Sequence, residues 1–187
     1  MPNPIPSFDH NLVIPPHLGD PRLPAHLSPY FCTIVDICEK LASTPQRVDI
    51  LKKFIAFREK LDNLGLKNGY QWLDGSFLED IENQEGRSPR DLDVVTVYWG
   101  YDISFQENLV KNLPEFFHPA LAKHTYSLDH YPFDASHLPE VTVEISRYWI
   151  QLFSHNRNSV WKGMLKVALD TPEEDAIALK NLQKSAT

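Results

Sequence analysis

The chain has 187 residues, 42% of them apolar and 23% charged, with a formal net charge of −7. That length suits one domain with a real core and leaves little room for two. The acidic balance argues against general DNA binding, which needs a basic surface to displace counterions, but leaves room for a local basic groove or a nucleotide held through a metal.

No stretch approaches the ~20 consecutive apolar residues of a membrane span. Met1-Pro2-Asn3-Pro4-Ile5-Pro6 lacks the charged and apolar regions of a signal peptide, so a soluble cytoplasmic protein is the expectation. Residues 1–29 carry eight of the fifteen prolines, which excludes a helix or a central strand. Ile5, Phe8, Leu12, Val13 and Ile14 make this stretch too apolar for a solvated tail. It reads as an extended arm laid across the domain surface or across a partner, with a single domain over 30–187.

Ser28-Pro29 predicts a helix start, followed by Phe31, Ile34, Val35, Cys38 and Leu41 at helical spacing. Cys32 and Cys38 then sit about 9 Å apart along that helix, too far to bridge within it. They read as buried thiols of a reducing compartment. Thr44-Pro45 opens a second helix, ending near Leu64-Gly65, with an apolar stripe Val48, Leu51, Phe54, Ile55 and Leu61 interrupted at Arg58. Lys52, Lys53, Arg58 and Lys60 are interleaved with acids and read as a solvated face.

Tyr70 to Leu73 predicts a strand, broken by Asp74-Gly75-Ser76. Gly75 lets the backbone approach a phosphate, and Ser76 adds a hydroxyl. A polar, turn-rich loop leads to Asp91-Leu92-Asp93-Val94-Val95-Thr96-Val97-Tyr98, a strand by its alternation. Asp91 and Asp93 fall on one face, roughly 6.5 Å apart. Two carboxylates that close repel unless a cation lies between them, and hard oxygen donors suit magnesium.

Helices are expected over about Phe105–Asn112 and from Pro114 to near Lys123. Thr125 to Tyr131 reads as a short strand carrying Asp129, 36 residues after Asp93. Asp134, after a proline in an expected turn, and Glu144 rank lower as acids of the same site. A helix follows Leu138-Pro139, with Val143, Ile145, Trp149, Leu152 and Phe153 as its stripe. A strand is expected over Lys162–Leu169, then a final helix from Thr171-Pro172 that frays in Lys184-Ser185-Ala186-Thr187. The eight histidines form no pair at metal-ligand spacing, which argues against zinc. His130 reads as an aromatic packing residue. No Gly-x-Ser-x-Gly supports hydrolase chemistry.

A hydrophobic-Gly-Ser turn followed by an acid-x-acid strand and a third acid on a later strand resembles the nucleotidyltransferase superfamily that includes the β-type DNA polymerases. The chain also resembles a bacterial family of small nucleotidyltransferase-like proteins, which share a proline-rich arm, two helices, a Leu-Asp-Gly-Ser-Phe turn, an Asp-hydrophobic-Asp strand and a Lys-Gly segment such as Lys162-Gly163. The resemblance implies an α+β fold with a mixed sheet and flanking helices. It implies that Asp91, Asp93 and Asp129 hold two Mg2+ ions and act in catalysis, while Gly75 and Ser76 bind the β and γ phosphates of a nucleoside triphosphate. The implied acceptor is a protein or RNA hydroxyl, in a toxin–antitoxin or phage-defence setting. The alternatives are a non-catalytic interaction module of the same fold and, lower, an aminoglycoside-type enzyme with a small-molecule acceptor. The arm, with Trp99 and Tyr101, is a candidate dimer or partner contact.

Overall fold

A computed structural model describes residues 4–184. The first three residues of the arm and Ser185-Ala186-Thr187 of the fraying end lie outside the described residues. The elements are β1 (Tyr30–Phe31), α1 (Ile34–Leu41), α2 (Pro45–Asn63), β2 (Gly69–Asp74), α3 (Ile81–Glu85), β3 (Leu92–Tyr98), α4 (Ile103–Asn112), α5 (Pro119–Tyr126), β4 (Leu128–Asp134), α6 (Pro139–Phe153), β5 (Leu165–Ala168) and α7 (Pro172–Lys184). The α+β class is as expected: the sheet is mixed, in the order β1-β5-β2-β3-β4. β2 runs antiparallel to β3 and β5, whereas β3–β4 and β1–β5 are parallel. The parallel β3–β4 pair needs a long crossover, which α4, a 3-10 turn at Pro114–Phe116 and α5 provide.

The first helix begins later than the sequence suggests. Ser28-Pro29 leads into the short strand β1, and Thr33 is the N-cap, forming a capping box with Asp36. A backbone bond from Tyr30 N–H to Met164 O at 3.0 Å ties this stretch to the sheet edge, which outweighs the local helix signal. The long helix over Pro114–Lys123 is also split: a 3-10 turn ends at Phe116, which is buried in the core, and α5 starts afresh at Pro119. Pro132 is tolerated inside β4 because β4 is an edge strand. Asp134 therefore ends a strand rather than occupying a turn.

Alternate residues of β3 face two different layers. Leu92, Val94 and Tyr98 join the larger core, which contains Phe54 and Phe57 of α2, Ile34 and Ile37 of α1 and Leu182 of α7. Val95 and Val97 face the smaller one, where Trp72 and Phe133 meet Trp149 and Phe153 of α6. The apolar stripe expected along α6 is only partly used: Trp149 and Phe153 are buried, but Val143 and Leu152 are exposed.

Arg58 is not on a solvated face. It is 3% exposed and its guanidinium donates to Asp175, Gln71 Oε1, Ala168 O and Thr171 Oγ1. The chain of bonds continues across the sheet, with Gln71 Nε2 donating to Thr96 Oγ1 at 3.1 Å and Thr96 Oγ1 lying 2.8 Å from His130 Nε2. Burial against Phe57 and Phe116 pushes the His130 pKa down to about 3, in keeping with a packing role.

The N-terminal segment is part of the fold. Ile5, Val13 and Ile14 are fully buried. Gly163 N–H donates to Ile14 O at 2.7 Å, and Asp80 N–H to Leu12 O at 2.8 Å. Cys32 and Cys38 are buried free thiols, and burial raises both pKa values to about 12. Tyr101, a candidate contact residue, is half-buried and tied to its own chain: its hydroxyl accepts from the Lys67 and Asn68 amides and donates to Gly65 O. Trp99 remains exposed. Among the described residues, no helix is long and apolar enough to cross a membrane.

A candidate carboxylate cleft at one end of the sheet

β2 ends where β3 and β4 begin, and the register is the first fact about the site. Asp74 pairs with Asp93, and Asp93 pairs with Asp129. Directly paired residues on adjacent strands point to the same face. Three carboxylates from three strands therefore share the α6 face of the sheet. Asp91, just ahead of β3, lines the same cleft, which has a volume of about 490 Å³. Gly75, Ser76, Leu152 and the His155–Asn158 loop also line it. Gly75, Ser76, Asp91, Asp93 and Asp129, the residues ranked first from the sequence, all line this one cleft.

Gly75 has a steric reason to be glycine. Its φ is +85°, and a Cβ there would lie 2.8 Å from the Asp93 carboxylate. The Asp93 side chain thus rests against the turn. Burial, with the charges of Asp91 and Asp129, pushes its pKa up to about 6. Burial likewise raises Asp74 to about 7, even with Lys162 beside it. This end of the sheet carries excess negative charge in a desolvated setting, which a cation would relieve.

Two buried cations missed at the sequence level hold the turn. Lys162, 1% exposed, ion-pairs with Asp74 at 2.8 Å and Glu79 at 3.3 Å, and donates to Gly75 O at 3.0 Å. Arg47, also 1% exposed, donates to Phe77 O and Glu79 O and makes a two-point pair with Glu82. One signal was legible: Arg47, Leu51, Phe54 and Arg58 fall at 4-3-4 spacing on the buried face of α2. Lys162 gave a weaker one, as a lone lysine ahead of an apolar strand. The polar, turn-rich stretch expected ahead of Asp91 contains α3, whose Glu82 serves Arg47.

Arg87, Arg90, Lys123 and Arg157 also line the cleft. Lys123 pairs with Asp91 at 2.5 Å, which raises the lysine pKa. Among the described residues, no three carboxylate, imidazole or thiolate groups are grouped tightly enough to hold a metal ion. The donor chemistry nevertheless fits a hard divalent cation: Asp91, Asp93 and Asp129 offer only oxygens, and the mutual repulsion at Asp93 favours a shared positive charge. Asp134 and Glu144 are not part of the cleft lining. Asp134 instead accepts from Gln106 and from the Ser136 amide at the far end of β4.

Fold and cleft together define an α+β protein with a mixed five-stranded sheet and a carboxylate-rich cleft where three of its strands meet. The chain belongs to the family described as a family of unknown function (DUF6932), whose model matches residues 6–168. That span includes the whole cleft and the N-terminal segment that braces it, and stops short of α7. No curated protein and no solved structure matches the chain.

Proposed function

We propose that the protein is a metal-dependent nucleotidyltransferase that moves a nucleoside monophosphate from a nucleoside triphosphate to a protein or RNA hydroxyl. The observation that carries this reading is the pairing of Asp93 with Asp129, with Asp91 beside them and the Gly75-Ser76 turn against Asp93. Asp91, Asp93 and Asp129 would hold Mg2+, two ions in the full arrangement. When bound, these ions supply charge neutralisation and Lewis-acid polarisation of the phosphates.

The chain's own groups do the rest. Gly75 N–H and the Ser76 hydroxyl bind the β and γ phosphates. Lys162 and Arg47 keep that turn rigid. Lys123, whose side chain is 55% exposed, is free to swing from Asp91 to a phosphate oxygen. The acceptor oxygen attacks the α-phosphorus in line, forming a new P–O bond. The bond from that phosphorus to the bridging oxygen breaks, and pyrophosphate leaves with the electron pair. Asp129 accepts the hydroxyl proton. Positioning and charge neutralisation supply most of the rate.

The test is transfer of label from α-labelled triphosphates to a co-purified macromolecule or to the product of a neighbouring gene, alongside calorimetric triphosphate binding with and without Mg2+. Mg2+-dependent binding that disappears in Asp91→Ala/Asp93→Ala is the expected result. Binding indifferent to Mg2+ or to those substitutions would sink the proposal. Label appearing in a small molecule would instead identify an aminoglycoside-type acceptor.

The second reading is a non-catalytic module that keeps the fold, such as an antitoxin or complex subunit in a toxin–antitoxin or phage-defence system. The Lys123–Asp91 pair and the absence, among the described residues, of a drawn-in donor set favour it. It predicts no triphosphate binding at any Mg2+ concentration.

A further inference from the structure

All seven arginines lie among the described residues, and five of them ion-pair with a carboxylate: Arg22, Arg47, Arg58, Arg87 and Arg147. Arg90 and Arg157 have no carboxylate or hydrogen-bond partner among the described residues. Both are exposed, and both line the carboxylate cleft. In a chain of net charge −7 a guanidinium rarely lacks an acid, so two unpaired ones in one cavity point to an anion from outside the chain. The planar guanidinium fork matches the oxygens of a phosphate.

Arg157 sits on a closed hairpin. His155 and Trp161 form an antiparallel bridge, Asn156 N–H donates to Val160 O at 3.0 Å, and Asn156 Nδ2 donates to Glu79 at 3.3 Å. Directly paired residues share a side, so Trp161 stands beside His155, which lines the cleft. The Trp161 indole rests on His17, 5.4 Å between ring centroids, and is still 45% exposed. Cations beside open aromatic rings hold single strands, whose bases are free to stack. An acidic peptide would use the guanidiniums and leave the indole idle. The donor triphosphate has other partners in the proposed reading, namely the Gly75-Ser76 turn, Lys123 and the cations at the three acids.

We infer that the acceptor is the end of a single-stranded polynucleotide, with its phosphates on Arg90 and Arg157 and a base stacked on Trp161. Its terminal hydroxyl oxygen forms the bond to the α-phosphorus, its proton passes to Asp129, and pyrophosphate leaves. The role as acceptor rests on the proposed chemistry, whereas strand binding needs neither metal nor triphosphate. The acidic surface elsewhere confines the contact to a few phosphates, which makes binding salt-sensitive.

Fluorescence anisotropy of a labelled single-stranded RNA, in chelator and without nucleotide, tests it over a salt series. A DNA of the same sequence forms a second arm, and binding of either strand meets the inference and names the sugar. The expected slope of log K against log salt is about −1.4, for two phosphates at about −0.7 each. Arg90→Gln and Arg157→Gln each flatten it by about 0.7. Trp161→Ala weakens binding about tenfold at an unchanged slope. Far-ultraviolet circular dichroism stays constant throughout. No strand binding at low salt, a slope indifferent to both arginines, or wild-type binding by Trp161→Ala would each overturn the inference. So would tripolyphosphate binding that depends on the two arginines when strand binding does not, or an acidic peptide that binds through them as tightly as the strand. Strand binding without Mg2+-dependent triphosphate binding would remove the proposed chemistry and leave the strand site standing. Triphosphate binding without the strand would do the opposite.

Discussion

Lys162 illustrates how one side chain can decide the state of its neighbours. It is the cation between two buried acids, Asp74 and Glu79, and it holds the Gly75 carbonyl. Lys162→Met is expected to cost about 3–5 kcal/mol, because it leaves buried carboxylates without their cation; urea unfolding measures this. Gly75→Ala forces a Cβ against the Asp93 carboxylate at positive φ, and should cost about 1–3 kcal/mol in the same assay.

Asp93 itself gives a pH prediction. Its pKa is about 6 in the folded protein against an ordinary 3.8. Between those values the folded state keeps a proton that the unfolded chain has released. Stability from this group therefore falls as pH rises from about 4 to 6, then levels off. Asp93→Asn removes that loss, so the variant should match wild type near pH 4 and exceed it by about 1–3 kcal/mol above pH 7. If the proposed function holds, saturating Mg2+ closes the gap by stabilising the wild type alone. A gap that survives Mg2+ counts against a metal at Asp93.

The elements are joined by polar groups as much as by the core. Arg58 of α2 reaches Asp175 of α7, and through Gln71 and Thr96 the bonds run over β2 and β3 to His130 of β4. Each link pairs a group that burial would otherwise leave unsatisfied. Thr96→Val keeps the shape but strips partners from Gln71 Nε2 and His130 Nε2. It should cost about 1–3 kcal/mol by chemical denaturation, more than the same exchange at an exposed strand position. This chain of bonds favours one strand register, and that register sets Asp93 beside Asp129. The helix periods and the β3 alternation were legible because they are local. The polar chain was not, since its members lie on five elements and each looks like surface when read singly. Arg58 was assigned to solvent for that reason.

At the scale of the molecule, the proline-rich start braces the cleft from behind. Residues 12–15 thread between the turn after β2 and the stretch before β5, and Gly163 lets them close in: a Cβ there would lie 2.4 Å from Pro15 O. Gly163→Ala should therefore loosen the N-terminal segment, costing about 1–3 kcal/mol, and expose residues up to Pro29 to limited proteolysis. Lys162 is the adjacent residue, so the same variant should also weaken any triphosphate binding. An unchanged digestion pattern would show that the segment is not held there.

The sequence by itself determined the α+β class, the long helix from Thr44-Pro45 and the two-faced strand β3, and it singled out Asp91, Asp93, Asp129 and the Gly-Ser turn that the cleft brings together, because backbone periodicity and turn chemistry are written over a few consecutive residues. Only the tertiary structure decided that residues 12–15, 47 and 162 converge on the turn, that α1 starts at Ile34, and that α6 buries Trp149 and Phe153 but leaves Val143 and Leu152 in solvent. Those outcomes rest on which distant groups compensate one another's burial, and no short window of sequence contains both partners.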